Sequence, residues 1–297
     1  MPRFAIILSG LVLLVSGILL SMSSVAAQEP PPAPTSRTLV SQRVEQLPPA
    51  PWCWNIAYDT RPAGARAPAT NDYHAEPLTV AYMIQGSQTV EYAGGPTRTY
   101  GEGAGLFVGE NNWHAHVIGN TSPFKSLVFE LTCQPRSRGG AITQIGNTGP
   151  LPGVQPDKGP HILQLTEVRW AVGAQIPPSS TAGPRTFFIL EGEFTIAMPE
   201  GLRHLGPGET ITVPPGTPYQ TTNVGAAPAL LLNLQITPVG ETSARIPTDV
   251  QLINPLASAA PAALPRAGDS ISWVGYVLSF VGILLIVGGI TLRRVRP

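Results

Sequence analysis

Histidine is scarce in this chain, with five residues in 297, and three of them, His74, His114 and His116, share one stretch. Imidazole nitrogen, joined by a carboxylate oxygen, suits zinc, iron, manganese, copper or nickel. His114 and His116 are alternate residues, so a regular strand turns both rings to one face. Asp72 and Glu76 are the carboxylates beside His74. A plainer arrangement is also open, in which His116 faces solvent, His74 sits in a loop and His114 is a hydrogen-bonded core residue. Cys53 and Cys133 are the only cysteines. In an oxidising compartment they are expected to form a disulfide, and the alternative is two buried thiols. Lysine plus arginine and aspartate plus glutamate number 18 each, and only 12% of the chain is charged. Zero net charge removes the electrostatic footprint of a nucleic-acid binder, so no nucleic-acid partner is expected.

The elements that would hold these residues are strands. Leu78 to Ile84, Gln88 to Tyr92, Leu106 to Val108, His114 to Val117 and Ser126 to Leu131 are short β-branched or apolar runs. Ile162 to Trp170, Phe187 to Leu190, Glu193 to Met198, Thr210 to Val213 and Ala229 to Ile236 form a second set, and glycine and proline bound both. The 33 prolines and 31 glycines leave no soluble stretch a sustained helical period. Short strands with regular turn signals imply an all-β sandwich or barrel. The two sets also repeat. Tyr82 to Gly86 matches Phe188 to Gly192 at an offset of 106 residues, and Gly103 to His114 matches Gly208 to Tyr219 at an offset of 105. Two copies of one β unit are expected.

Gly208, Pro214-Pro215-Gly216, Tyr219 and Asn223 have the spacing of the second cupin motif, and Phe187 to Glu193 (FFILEGE) closely resembles the end of the first. The chain thus resembles a bicupin, and the resemblance implies two tandem jelly-roll barrels. Cupins take three histidines and a glutamate as metal ligands. In the second block those slots, counted back from Gly192 through Gly173, fall on Ser179, Thr181 and Arg185, with Tyr219 from the second motif. Hydroxyls are poor ligands and a guanidinium repels cations, so no metal is expected there. The four side chains suit a carboxylate or polyol instead. The alternative is a barrel kept for its shape, with Arg185 paired to Glu191 or Glu193. In the first block the resemblance puts Asp72 and His74 in the two histidine slots and Thr79 in the glutamate slot. His114 takes the second-motif slot, although the Pro-x-Gly turn has become Gly109-Glu110-Asn111. One divalent transition metal on His74, His114 and His116, with Asp72 or Glu76, is the expected cofactor, in the first barrel only.

Both ends carry addressing signals. Arg3, the apolar run Phe4 to Leu20 and Val25-Ala26-Ala27 read as a secretory signal peptide. Ile271 to Leu292 is uncharged, long enough to span a bilayer, and followed by Arg293, Arg294 and Arg296. Leu264-Pro265-Arg266-Ala267-Gly268 before it resembles the sorting signal of sortase-anchored proteins, with Ala267 where threonine is usual. An Ala/Pro-rich stalk is the other reading of that segment. The expected organisation is a signal peptide over 1–27, a Pro-rich spacer over 28–37 and a first barrel over 38–134. A linker over 135–160, a second barrel over 161–237 and a stalk over 238–268 follow, and a transmembrane helix with a basic tail covers 269–297. The folded part is expected outside the cytoplasm, anchored to the cell membrane or cell wall. Its function is expected to be binding of a small polar ligand or glycan. The alternative is a metal-dependent enzyme of dioxygenase or isomerase type working from the first barrel. A purely structural surface protein is the third possibility.

Overall fold

A computed structural model of the protein describes residues 32–68, 72–134, 141–242 and Leu252, and within them the chain is almost entirely strand. The first repeat contains β1 (Thr35–Val44), β2 (Trp54–Arg61), β3 (Arg66–Ala67), β4 (Thr79–Gln85) and β5 (Gln88–Tyr92). It continues with β6 (Thr97–Tyr100), β7 (Gly105–Val108), β8 (His114–Ile118) and β9 (Phe124–Leu131). The second contains β10 (Ile142–Asn147), β11 (His161–Trp170), β12 (Gln175–Ser179), β13 (Arg185–Glu191) and β14 (Phe194–Met198). It ends with β15 (Gly201–Leu205), β16 (Thr210–Val213), β17 (Tyr219–Thr222) and β18 (Ala229–Pro238). Each β-branched or apolar run named from the sequence lies within or overlaps one of these strands.

Equivalent strands of the two repeats hold equivalent places. The large sheets run β10-β2-β9-β4-β7 and β1-β11-β18-β13-β16, and the small ones β3-β8-β5-β6 and β12-β17-β14-β15. The hairpins after β4 and β13 turn on Gly86 and Gly192, at φ 74° and 75°. A Cβ at either would meet a carbonyl oxygen, Pro123 at 2.7 Å or Pro228 at 2.6 Å, so only glycine fits. The altered turn of the first repeat keeps its shape as well. Asn111 takes φ 60° where Gly216 takes 73°, and asparagine tolerates that region better than other residues with a side chain.

The pairing corrects the expected boundaries at two points. β1 starts inside the expected spacer and runs into the expected first barrel, yet it pairs along its length with β11 of the second repeat. β10, in the expected linker, pairs with β2 of the first repeat. The repeats thus exchange their first strands. The exchange is matched in detail, since the register slips between Thr38 and Val40 in one strand and between Gln144 and Gly146 in the other. Neither strand announces itself in sequence, because β1 is mostly exposed and β10 has no buried residue.

The two large sheets pack face to face. Trp54, Ile56, Val80, Leu127 and Phe129 meet Leu163, Leu165, Phe188, Leu232 and Leu234 in one continuous core. Phe129 and Phe188 stand edge to face at 5.8 Å. Buried Glu167 is held inside this contact by three donors. Tyr82 Oη and Arg37 Nη2 each donate to Oε2 at 3.0 Å, and Arg169 Nε donates to Oε1 at 3.0 Å. Burial raises the Glu167 carboxyl, but those donors outweigh it and leave its pKa lowered. Separate cores fill the barrels: Met83, Val90, Leu106 and Phe124 in the first, Trp170, Phe187, Phe194 and Ile196 in the second. A disulfide joins Cys53 and Cys133, just before β2 and just past β9, with their Cα atoms 4.7 Å apart.

Among the described residues no helix is long and apolar enough to cross a membrane. The expected signal peptide over 1–27, the sorting pentapeptide with Leu264, Pro265, Ala267 and Gly268, and the apolar span 271–292 all lie outside the described residues.

Candidate metal centre

β8 delivers His114 and His116 to the interior of the first barrel, as alternation along a strand requires. The segment before β4 brings in the other two members. His74 forms an isolated bridge with His114, the two backbones exchanging N–H···O bonds of 2.9 Å, and Glu76 follows two residues later. The donor atoms of His74, Glu76, His114 and His116 all lie within 4.8 Å of one another. His74 Nε2 is 3.0 Å from Glu76 Oε1, and the Nε2 atoms of His114 and His116 are 2.9 Å apart. Glu76 oxygens lie 3.9 Å from His114 Nε2 and 3.8 Å from His116 Nε2. His114 is 0% exposed, whereas the His74 side chain is 31% exposed and opens the group to solvent on one side.

These positions fit a transition metal. Metal–ligand bonds of about 2.1 Å place neighbouring ligand atoms roughly 3.0–3.4 Å apart, well inside the span the four donors occupy. His114 Nδ1–H donates to the Asn112 carbonyl at 2.7 Å, which fixes the tautomer and leaves Nε2 with a free lone pair. Burial, partly opposed by that hydrogen bond, pushes the His114 pKa down to about 4, so the ring is neutral, the ligating form, near pH 7. At His116 the outer partner of Nδ1 is the side-chain amide of Gln88. With its oxygen turned inward, that amide would accept Nδ1–H and free Nε2 for a metal.

Of the two carboxylates named from the sequence, the structure brings in Glu76 and leaves out Asp72, which is exposed and outside the group. The glutamate slot itself is occupied by buried Thr79, whose hydroxyl donates to the Pro77 carbonyl at 2.8 Å. The carboxylate inside this barrel is Glu76, three positions before Thr79 in the chain. His116 does not face solvent; it is 7% exposed and turned inward. Sequence reasoning missed Gln88 and Asn112, the outer partners of His116 and His114, and neither residue type marks a site by itself in a sequence.

The second barrel has a different interior. Thr181 Oγ1 donates to the Gly183 carbonyl at 2.7 Å and Ser179 is buried. Arg185 makes no pair with Glu191 or Glu193. Its Nη1 donates to the Tyr219 hydroxyl and its Nη2 to Gln235 Oε1 at 2.7 Å. β13 explains the difference: Arg185 lies at its start and points into the barrel, whereas Glu191 and Glu193 are exposed near the far turn.

Residues 166–235 match the family model described as Cupin domain. No curated protein matches the chain. Among solved structures the chain is similar to the oxalate decarboxylase of Lactobacillus farciminis in its formate complex, at 11% identity and a TM-score of 0.48. That match covers 73% of this chain and 89% of the other. It is also similar to AerE from Microcystis aeruginosa, at 14% identity and a TM-score of 0.43, covering 67% and 98%. A third likeness is to a salicylate 1,2-dioxygenase from Pseudaminobacter salicylatoxidans, at 12% identity and a TM-score of 0.40, covering 62% and 71%. The match to the Cupin domain model is thus confined to residues 166–235 in the second repeat, and the histidine–glutamate group lies in the repeat before it.

Proposed function

We propose that the chain is a metal-dependent cupin protein whose chemistry is confined to the first barrel, with His74, Glu76, His114 and His116 as ligands. One observation carries this reading: three of the five histidines and a buried carboxylate converge within 4.8 Å. A divalent transition metal bound there supplies Lewis acidity and coordination positions for a substrate oxygen. The chain's own residues prepare the site. Asn112 aims His114, Gln88 backs His116, and Glu76 offsets part of the cation's charge in a buried setting. The exposed edge at His74 is where a substrate enters. This arrangement favours an enzyme of dioxygenase or isomerase type over a purely ligand-binding module. The disulfide supports an extracytoplasmic setting, and the apolar segments at both ends support export and membrane anchoring, with sortase as a candidate processing partner.

Metal analysis of the full chain, reconstituted with manganese, iron or zinc, tests the proposal. One equivalent of metal is expected in the wild type, none in His114→Ala, less in His74→Ala and full content in His204→Ala. Equal metal content in the wild type and His114→Ala refutes it.

A further inference from the structure

We infer that the second barrel binds a small carboxylate, with Arg185 as its anchor. Cross-strand pairing locates the site. Arg185 pairs with Val213 and Gln235, and Phe187 pairs with Asn233, so all five share the face that carries the barrel's inner core. Among the described residues Arg185 has no carboxylate partner. Its two hydrogen bonds go to neutral groups, Tyr219 and Gln235, and its Nε–H is buried without an acceptor. The guanidinium is half-buried on the face that carries Phe187 and Val213, and a charge there is costly unless an anion accompanies it.

Further polar atoms on the same interior lack partners. Asn233 is 8% exposed and its Oδ1 makes no hydrogen bond, and Thr221, 0% exposed, has an unpartnered hydroxyl. Thr221 pairs with Ile196 of the inner core and lies two residues beyond Tyr219 on β17, so it too faces inward. Buried polar side chains almost always have partners, and several orphans on the same barrel interior as an arginine without a counter-anion mark a place for a ligand. Tyr219 accepts from Arg185, which leaves its own O–H free to donate. Arg185 Nε–H, Tyr219 O–H and Thr221 O–H are three donors, the complement of a carboxylate's acceptor oxygens. Phe187 packs against the Tyr219 ring, with centroids 5.9 Å apart.

The site is independent of the histidine–glutamate group, and its test is run on the full chain stripped of metal by chelation, so carboxylate–metal contacts cannot contribute. Calorimetric titration with acetate and with glycolate is expected to show one saturable site. Affinity should fall by about tenfold or more in Arg185→Met and Arg185→Lys, since lysine cannot reproduce the planar fork. Tyr219→Phe should weaken it several-fold while keeping the ring packing, and His114→Ala should leave it unchanged. Without acetate, Arg185→Met should melt at or above the wild-type temperature, because it removes an unpaired interior charge. No saturable binding of either acid overturns the inference. So does binding retained in Arg185→Met, or glycerol binding as tightly as acetate. Loss of acetate binding in His114→Ala places the anion in the first barrel and overturns it equally.

Discussion

Acid should destabilise this protein, and one buried ring should supply a separable part of the effect. His114 is fully enclosed, and burial brings its pKa from the ordinary 6.5 to about 4. The unfolded chain therefore binds a proton between those values and the folded chain does not. The stability tied to the neutral ring is fully present above pH 6.5 and is lost as pH falls toward 4. The gap corresponds to about 3 kcal/mol, most of which is gone by pH 4.5. With a slope of about 2–3 kcal/mol per molar urea, the midpoint should drop by about 1 M between pH 7.5 and 4.5 from this residue alone. The measurement is urea unfolding of chelated protein across that range, in the wild type and in His114→Gln, which does not titrate. His161, also lowered by burial, and Glu167 add slope of the same sign to both proteins, so the difference isolates His114. Bound metal should steepen the wild-type response further, because protons compete for the same nitrogen. Equal pH dependence in the two chelated proteins would refute the argument.

The disulfide closes 80 residues, and on the chain-entropy account Cys53→Ser with Cys133→Ser should cost about 4.5 kcal/mol, read from denaturant midpoints under non-reducing conditions. Phe188→Ala opens the contact between the large sheets where Phe129 meets it, and a loss of about 3–5 kcal/mol in one shared unfolding transition is expected by calorimetry. Removing residues 32–44 deletes β1, so hydrogen exchange should accelerate along β11 in the second repeat rather than in β2 of the first.

The sequence carried the inner strands of both repeats clearly, because Val80, Leu127, Leu165 and Leu232 belong to apolar runs bounded by glycine and proline. It carried the shared geometry of Gly86 and Gly192 for a steric reason that holds in any context. β1 and β10 were not legible. Their pairing is with distant strands, and polar strings such as Ser41-Gln42-Arg43 look like spacer until a partner sheet is present. The histidines were legible through alternation at His114 and His116, but the carboxylate was left between Asp72 and Glu76. Only three-dimensional placement decides that point, because the segment before β4 is irregular and has no period to count.

The exchange of first strands also sets an order of events during folding. Val44 and His161 are neighbours in one sheet and lie 117 residues apart in the chain. β1 therefore has nothing to pair with until nearly the whole first repeat and the start of the second have been synthesised. Contacts of this range make barrel formation slow, since the loop must close before any pairing rewards it. In the interval β1 is an unpaired edge, and Arg37, Arg43 and the hydroxyls of Thr35, Ser36, Thr38 and Ser41 make that edge a poor template for stray strands. Neither half of the molecule can finish alone, and refolding should be limited by the return of the first strand to a sheet built from the second half of the chain.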